Sequence, residues 1–114
     1  MVIATTGKTG RELFTIEDRP QHLYCVGSMG YASAIAHGVA LGSAGPVYVL
    51  DGDGAALMHL GNLASIGASA PANLTHIILD NGSYDSTGGQ RTAADAVDFV
   101  RLALAAGYSA ARRC

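Results

Sequence analysis

The feature that most constrains the fold is the alternation of short apolar runs with longer segments of helical pattern. Four runs have the length and composition of buried strands: Val2 to Thr5, Leu23 to Val26, Val47 to Leu50 and Thr75 to Leu79. The segments with helical pattern run from Thr9 to Phe14, Ala32 to Leu41, Ala55 to Ile66 and Asp95 to Ala106. This alternation predicts βαβ units and an α/β fold, a three-layer parallel sheet with helices on both faces.

The end of the chain is expected to leave this sheet incomplete. Tyr108 is predicted to begin another strand, and only a few residues follow it. A parallel sheet whose last strand starts so late indicates either a piece of a longer chain or a subunit that needs a partner to cover its sheet. Residues 1–114 are otherwise enough for one small domain.

Composition and charge exclude several classes of protein. Hydrophobic residues make up 49% and charged residues 14%, which predicts a folded chain, and the net charge of -2 argues against nucleic-acid binding by bulk charge. Cys25 and Cys114 have neither a metal-binding nor a disulfide spacing. With no leader pattern and no apolar stretch of about 20 residues, a cytoplasmic protein without a membrane span is expected.

Two of the predicted strands end in closely similar residues. Asp51-Gly52-Asp53-Gly54 follows the third strand, and Asp80-Asn81-Gly82 follows the fourth, with 25 residues between Gly54 and Asp80. Ligands of parallel sheets bind outside the carboxyl ends of the strands. These two segments are therefore expected to share a binding site.

Their chemistry suits a cation held between carboxylate and phosphate. Glycines at a helix start favour an anion, whereas the carboxylate of Asp53 would repel a bare phosphate. A divalent cation resolves the conflict, because Mg²⁺ takes oxygen ligands and is often held by one or two carboxylates plus phosphates. Asn81 offers a neutral side-chain oxygen. The alternative is that both segments are ordinary turns, since Gly, Asp and Asn are typical turn residues.

These two segments resemble the cofactor-binding segments of the thiamine diphosphate enzymes. Gly52-Asp53-Gly54 followed by Asp80-Asn81 is similar to their cofactor motif, with Asp80 in place of the first Asn, and Gly27 to Leu41 resembles the preceding turn and helix. The resemblance implies the diphosphate-binding domain of such an enzyme. It implies Mg²⁺ ligands at Asp53, Asn81 and the Ser83 carbonyl.

The resemblance also implies the cofactor contacts. Met29 would lie under thiamine diphosphate and enforce its bent shape, and the Gly27 carbonyl would accept from the 4′-amino group. The other implied cofactor-binding residues are Thr5, Thr6, Gly7, Lys8, Ser28, Gly52, Gly54, Ala55 and Tyr84. For Met29 the alternative is a core gap-filler, and for Thr5 and Thr6 a β-branched strand end.

Within the family, Thr5 to Phe14 and Leu79 to Gln90 resemble the phosphonopyruvate decarboxylases, with the sulfopyruvate decarboxylases as the alternative. The implied reaction converts 3-phosphonopyruvate to phosphonoacetaldehyde and CO₂. Arg91, Gln90, Ser86 and Thr87 are candidates to bind the small 2-oxo acid, and Lys8 is a further basic candidate. For Arg11 a solvated surface charge is the preferred interpretation.

Some of the family's parts are not expected in this chain. The four histidines, at positions 22, 37, 59 and 76, have no metal-ligand spacing and are expected to be structural. The glutamate that activates the aminopyrimidine comes from a different domain in this family, and neither Glu12 nor Glu17 lies in a matching motif. A pyrimidine-binding domain or α-type subunit, in a homo- or hetero-oligomer, is therefore implied, and the isolated chain is expected to bind cofactor weakly.

Two functions of another class remain open. A nucleotide-binding module would use the same strand ends, but the glycine pattern G-x-G-x-x-G does not follow the first strand. A non-catalytic interaction domain would not need the acid and amide at Asp53 and Asn81.

Overall fold

A computed structural model describes residues 1–114 and has the predicted α/β architecture. The six strands are β1 (Val2–Ala4), β2 (His22–Tyr24), β3 (Val47–Gly52), β4 (Leu74–Leu79), β5 (Ser83–Tyr84) and β6 (Gln90–Arg91). The five α-helices are α1 (Lys8–Ile16), α2 (Ala32–Gly42), α3 (Asp53–Met58), α4 (Gly61–Ser69) and α5 (Phe99–Ala106), and a 3₁₀ turn spans Ala94–Ala96. No helix has the length and apolar character needed to span a membrane.

The main sheet has four parallel strands in the order β2-β1-β3-β4. From β1 the chain passes through α1 to β2 on one side, and it then returns through α2 to β3 on the other side. The chain therefore changes direction between β1 and β3, and the loops after these two strands diverge there. Such switch points are where open α/β sheets form their ligand crevices.

Helices cover both faces of this sheet, as the pattern predicts. Ile3, Val47 and Val49 point to one face and pack with the small residues of α2, including Ala36, in a fully buried cluster. Gly10 of α1 lies on the opposite face, where a Cβ would come within 4.0 Å of Ala4. The alanines of α2 let its backbone approach the sheet closely, and burial of the branched side chains contributes about 1.5–3 kcal/mol each.

The predicted helix from Ala55 to Ile66 is wrong in one respect, because it is two helices. The chain leaves α-helical geometry at His59 (φ −136, ψ 53), and α4 begins at Gly61. Asn62 explains the bend, since its side-chain amide donates to the Gly30 carbonyl at 2.8 Å. The apolar spacing continues across the break, so periodicity alone does not reveal it.

The end of the chain also differs from the prediction. The last α-helix begins at Phe99, not Asp95, because Val97 is extended (φ −122, ψ 126) and Asp98 caps the helix by accepting from the Arg101 N–H at 3.0 Å. Tyr108 does not begin a strand: its N–H still bonds to the last turn of α5, and residues 108–114 form no ladder.

The glycine-rich segment from Gly82 to Thr92 contains a short hairpin. Ser83 pairs with Arg91 and Tyr84 with Gln90 in an antiparallel two-stranded sheet, β5–β6. The Thr92 N–H donates to the Gly82 carbonyl at 3.0 Å and closes the base of this hairpin. The hairpin folds back over the carboxyl ends of β1 and β3, which places it at the switch point.

Candidate functional site

A cavity of about 250 Å³ lies at the switch point. It is bounded by the loops that follow β1, β2, β3 and β4, and by the hairpin. Of the predicted cofactor-binding residues, the structure brings together twelve around it: Thr5, Thr6, Gly7, Lys8, Met29, Gly52, Asp53, Gly54, Ala55, Asn81, Ser83 and Tyr84. The two strand-end motifs therefore share one cavity.

Most of the other predicted site residues do not line this cavity. Gly27 and Ser28 do not line this cavity, and of the candidate substrate residues only Ser86 does. Arg91 points into solvent, with 82% of its side chain exposed and an ion pair to Asp95. Thr87 and Gln90 bond to each other within the hairpin loop, at 3.5 Å.

Asp53 is the most deeply buried charged group of the cavity, with 2% of its surface exposed. It opens α3, directly after the last residue of β3. Thr92 donates its hydroxyl to Asp53 Oδ2 at 2.5 Å, and the Asn81 N–H lies 3.5 Å from Oδ1. Both oxygens are thus contacted by residues that follow strands, Asn81 after β4 and Thr92 after β6.

Asn81 and Ser83 are tied to a carboxylate that sequence reasoning did not single out. Asp85 accepts from the Asn81 amide at 3.2 Å, from the Ser83 hydroxyl at 2.9 Å and from Lys8 Nζ at 2.9 Å. The hydrogen bond from Lys8 lowers the pKa of the Asp85 carboxyl below its ordinary value, and the Ser83 hydroxyl adds to the effect. Lys8 and Asp85 are 77 positions apart in the sequence, and no local motif predicts the contact between them.

The amide of Asn81 has a defined orientation as a result. Its Nδ2 donates to Asp85, and its Oδ1 accepts from the Ser83 N–H at 3.0 Å. An amide oxygen has two lone pairs, so one remains to bind a cation. Asp80, which replaces the expected first Asn, accepts from the Gly82 N–H at 3.2 Å and so stabilises the loop.

Gly54 is needed for close packing beneath the hairpin. A Cβ at this position would lie 2.4 Å from the Tyr84 ring and 3.2 Å from the methyl of Thr92. Any larger residue would push the hairpin away from the start of α3. Tyr84 therefore covers Gly54 as well as lining the cavity.

The turn before α2 presents Met29 to the cavity. Ser28 and Gly30 on either side of it have positive φ angles, 53° and 92°. Gly30 is required there, because a Cβ would meet His59 Nδ1 at 2.3 Å and the Ala55 carbonyl at 2.7 Å. His59 and Ala55 pack against this turn at Gly30, and they therefore fix the position of Met29.

Thr5 carries a polar atom that has no partner within the chain. Its residue is 4% exposed, and its Oγ1 makes no hydrogen bond, although its N–H bonds to the Leu50 carbonyl at 2.8 Å. A buried hydroxyl without a partner is costly, and a ligand oxygen in the cavity would satisfy it. Thr6, by contrast, uses its hydroxyl to bond to the Val26 carbonyl at 3.0 Å.

The charges around the cavity are unbalanced. Three carboxylates, Asp53, Asp80 and Asp85, line it, and Lys8 is its single cationic side chain. No group of three or more His, Cys, Asp or Glu side chains is arranged to hold a metal ion. A cation beside Asp53 would therefore take its other ligands from amide, carbonyl or phosphate oxygens.

The histidines lie outside the cavity. The side chain of His76 is buried, with Asp51 Oδ2 3.4 Å from its Nε2 and the Tyr108 hydroxyl 3.0 Å from its Nδ1. Burial, with the charge of Asp51, raises the pKa of Tyr108 to about 12. Glu12 and Glu17 are exposed on and just after α1, so no glutamate of this chain faces the cavity.

Comparison with known proteins assigns the class. The family described as thiamine pyrophosphate enzyme, C-terminal TPP binding domain, matches residues 5–114. The chain belongs to this family, whose cofactor is thiamine diphosphate (thiamine pyrophosphate). The prediction from the two strand-end motifs is confirmed at this level.

The chain is also similar to individual decarboxylases of this kind. The chain is 58% identical over 113 residues to phosphonopyruvate decarboxylase of Streptomyces hygroscopicus, and 57% identical to that of Streptomyces viridochromogenes, covering 99% of this chain and 28% of each relative. It is 46% identical over 112 residues to sulfopyruvate decarboxylase subunit beta of Methanothermobacter thermautotrophicus, covering 98% of this chain and 60% of the relative. The chain thus spans less than a third of the first two relatives and under two thirds of the third.

Proposed function

We propose that this chain is the diphosphate-binding part of a decarboxylase that converts 3-phosphonopyruvate to phosphonoacetaldehyde and CO₂. The observation that carries the proposal is the cavity that joins Asp53, Asn81 and the Thr5 hydroxyl at the switch point of the sheet. The identity of 57–58% to two phosphonopyruvate decarboxylases supports the choice of substrate. The likeness to sulfopyruvate decarboxylase β subunits, at 46%, makes sulfopyruvate the second candidate.

The residues present fit thiamine diphosphate with Mg²⁺. Asp53 and the side chain of Asn81, with the carbonyl of Ser83, would supply oxygen ligands to the cation, and diphosphate oxygens would supply others. Thr5 Oγ1 would donate to the diphosphate and so acquire the partner that it lacks. The first N–H groups of α3, at Gly54 and Ala55, have no acceptor within the helix and would donate to the same group.

The balance of charge supports a divalent cation. A diphosphate would add negative charge to a cavity that already has three carboxylates and one lysine. Mg²⁺ would offset that charge at Asp53, and Lys8, which now pairs with Asp85, would offset it on the α1 side. Whether Lys8 binds the diphosphate or the phosphonate, it has to exchange or share its contact with Asp85.

When bound, thiamine diphosphate supplies the decarboxylation chemistry, because its thiazolium ring accepts the electron pair that CO₂ leaves behind. The part of this chain would be to hold the cofactor and to orient it. Met29, in the turn that His59 and Ala55 fix, would support the bent form of the cofactor. The hairpin that carries Tyr84 would shield the diphosphate from water. The activating glutamate would come from a pyrimidine-binding domain or an α-type subunit, since none of this chain faces the cavity.

The test is CO₂ release by the complete gene product, with its partner subunit if it has one, supplied with thiamine diphosphate and Mg²⁺. 3-Phosphonopyruvate and sulfopyruvate are offered in parallel. We expect turnover of phosphonopyruvate that is lost in Asp53→Asn and on chelation of the metal. Asp95→Asn, which changes an exposed carboxylate on the 3₁₀ turn, is the matched control and should keep full activity.

The outcomes separate the parts of the proposal. Activity on sulfopyruvate alone would retain the cation and diphosphate site and would assign the substrate to the second candidate. Turnover of either acid that is indifferent to chelation and to Asp53→Asn would contradict the cation site.

A further inference from the structure

Thr92 lies outside every motif discussed so far, yet it contacts the central carboxylate. It follows β6, is 9% exposed, and donates to Asp53 Oδ2 at 2.5 Å across 39 positions of sequence. It does not line the cavity itself. Its hydroxyl would therefore act on a bound ligand only through Asp53.

The direction of the hydroxyl proton is determined by a second contact. The Ala94 N–H donates to Thr92 Oγ1 at 3.2 Å. A hydroxyl has one proton, and an N–H donor faces a lone pair, so the proton of Thr92 points to Asp53. A hydrogen bond to an ionised acceptor is stronger than a neutral one, which holds this carboxylate in one rotamer.

The backbone places Thr92 firmly. Its N–H donates to the Gly82 carbonyl at 3.0 Å, and its methyl packs toward Gly54, whose Cβ position would be 3.2 Å away. Contacts with the loop after β4, at Gly82, and with α3, at Gly54, therefore fix the position of Thr92. Its hydroxyl bonds to Oδ2 of Asp53 at 2.5 Å, and Oδ1, which the Asn81 N–H approaches only at 3.5 Å, keeps a lone pair for a ligand.

We propose that Thr92 is a positioning residue that orients Asp53 to bind the divalent cation. The inference rests on the proposed function, because it needs a cation at Asp53. Hydrogen bonds from residues behind the ligands of a metal commonly set its affinity, and their loss costs about 10–100-fold. The loss of the Thr92 hydroxyl should weaken cation binding by this factor.

The experiment measures binding of Mn²⁺, in place of Mg²⁺, to the complete protein with thiamine diphosphate, by electron paramagnetic resonance. The key comparison is Thr92→Ser with Thr92→Ala, because both lack the methyl and they differ only in the hydroxyl. We expect Thr92→Ser to bind Mn²⁺ like the wild type and Thr92→Ala to bind it about 10–100-fold more weakly. Thr92→Val, which keeps the shape without the hydroxyl, should behave like Thr92→Ala.

Two controls separate a positioning role from a structural one. Thr15→Ala removes an exposed hydroxyl from α1 and should not change the affinity, and urea unfolding of each variant reports stability independently. Equal Mn²⁺ affinity in Thr92→Ser and Thr92→Ala would overturn the inference, whether both resemble the wild type or both are weakened by lost packing. If the wild type itself binds no Mn²⁺, or Asp53→Asn binds it equally well, the cation site of the proposed function fails, and the role of Thr92 with it.

Discussion

Helices α4 and α5 cross with their backbones in contact, and the crossing depends on a glycine. A Cβ built on Gly67 would lie 1.8 Å from the Ala106 carbonyl oxygen and 2.5 Å from its carbon. Just after the other helix, a Cβ on Gly107, the C-cap of α5, would lie 3.0 Å from the Gly67 carbonyl oxygen. Gly67→Ala therefore tests the packing of the last helix directly.

The magnitude follows from the geometry. Even a separation of 3.0 Å, which real Cβ atoms essentially never undercut, requires the end of α5 to move by about 1.2 Å, and the atoms that the new Cβ meets are all backbone. Overpacking of this kind costs about 1–3 kcal/mol. Removing a glycine from a helix interior returns up to about 1 kcal/mol. We expect the upper end of the cost, and hence a net loss of about 2 kcal/mol.

Gly38→Ala is the matched control. Gly38 is also inside a helix, α2, but it is exposed, and its Cβ would meet nothing within 4 Å. This variant should gain up to about 1 kcal/mol, so the two alanine variants should differ by about 3 kcal/mol.

Urea unfolding of the two variants beside the wild type measures this difference. The two substitutions have the same intrinsic helix propensity, so any difference between them reports the tertiary contact. Equal stabilisation by Gly67→Ala and Gly38→Ala would refute the close crossing of α4 and α5.

Two further predictions concern ionisation. The pKa of Asp85 is lowered by Lys8, so this contact contributes stability above the ordinary carboxyl pKa of 3.8, which is lost as the pH falls through the lower native value. A carboxyl NMR titration should show Asp85 ionising below 3.8 and closer to it in Lys8→Met; an unchanged titration would contradict the ion pair. The pKa of Tyr108 is raised from 10.0 to about 12, so the corresponding stability is complete below pH 10 and is lost between pH 10 and 12. Tyrosinate absorbance should show a late step near pH 12 that Tyr108→Phe abolishes, and the same step in that variant would assign it to another of the five tyrosines.

The parallel sheet and the place of its cavity were predictable because both depend on local patterns. Short apolar runs between helical segments define βαβ units, and the carboxyl ends of parallel strands meet at one edge of the sheet. Asp53 and Asn81 each follow such a run, so their shared cavity follows from where they stand in the chain. Local periodicity also located α2 to within one residue at its end.

Periodicity failed where a distant contact changes the path of the chain. The break between α3 and α4 results from Asn62 reaching the Gly30 carbonyl, 32 positions away, and the apolar spacing continues through it. At the end of the chain, Tyr108 resembles the start of a strand, but in the structure its hydroxyl lies 3.0 Å from His76 Nδ1 and its backbone stays bonded to α5.

The sequence by itself determined the α/β class, the strand ends that carry the cation and diphosphate candidates, and the family to which they point. Only the tertiary structure decided which neighbours orient those candidates. Thr92 reaches Asp53 and Asp85 reaches Lys8 because the hairpin after β4 folds back over the switch point. Arg91 lies on that same hairpin and faces solvent. The direction in which the hairpin folds depends on contacts such as Tyr84 over a glycine of α3, and no local repeat in the chain encodes them.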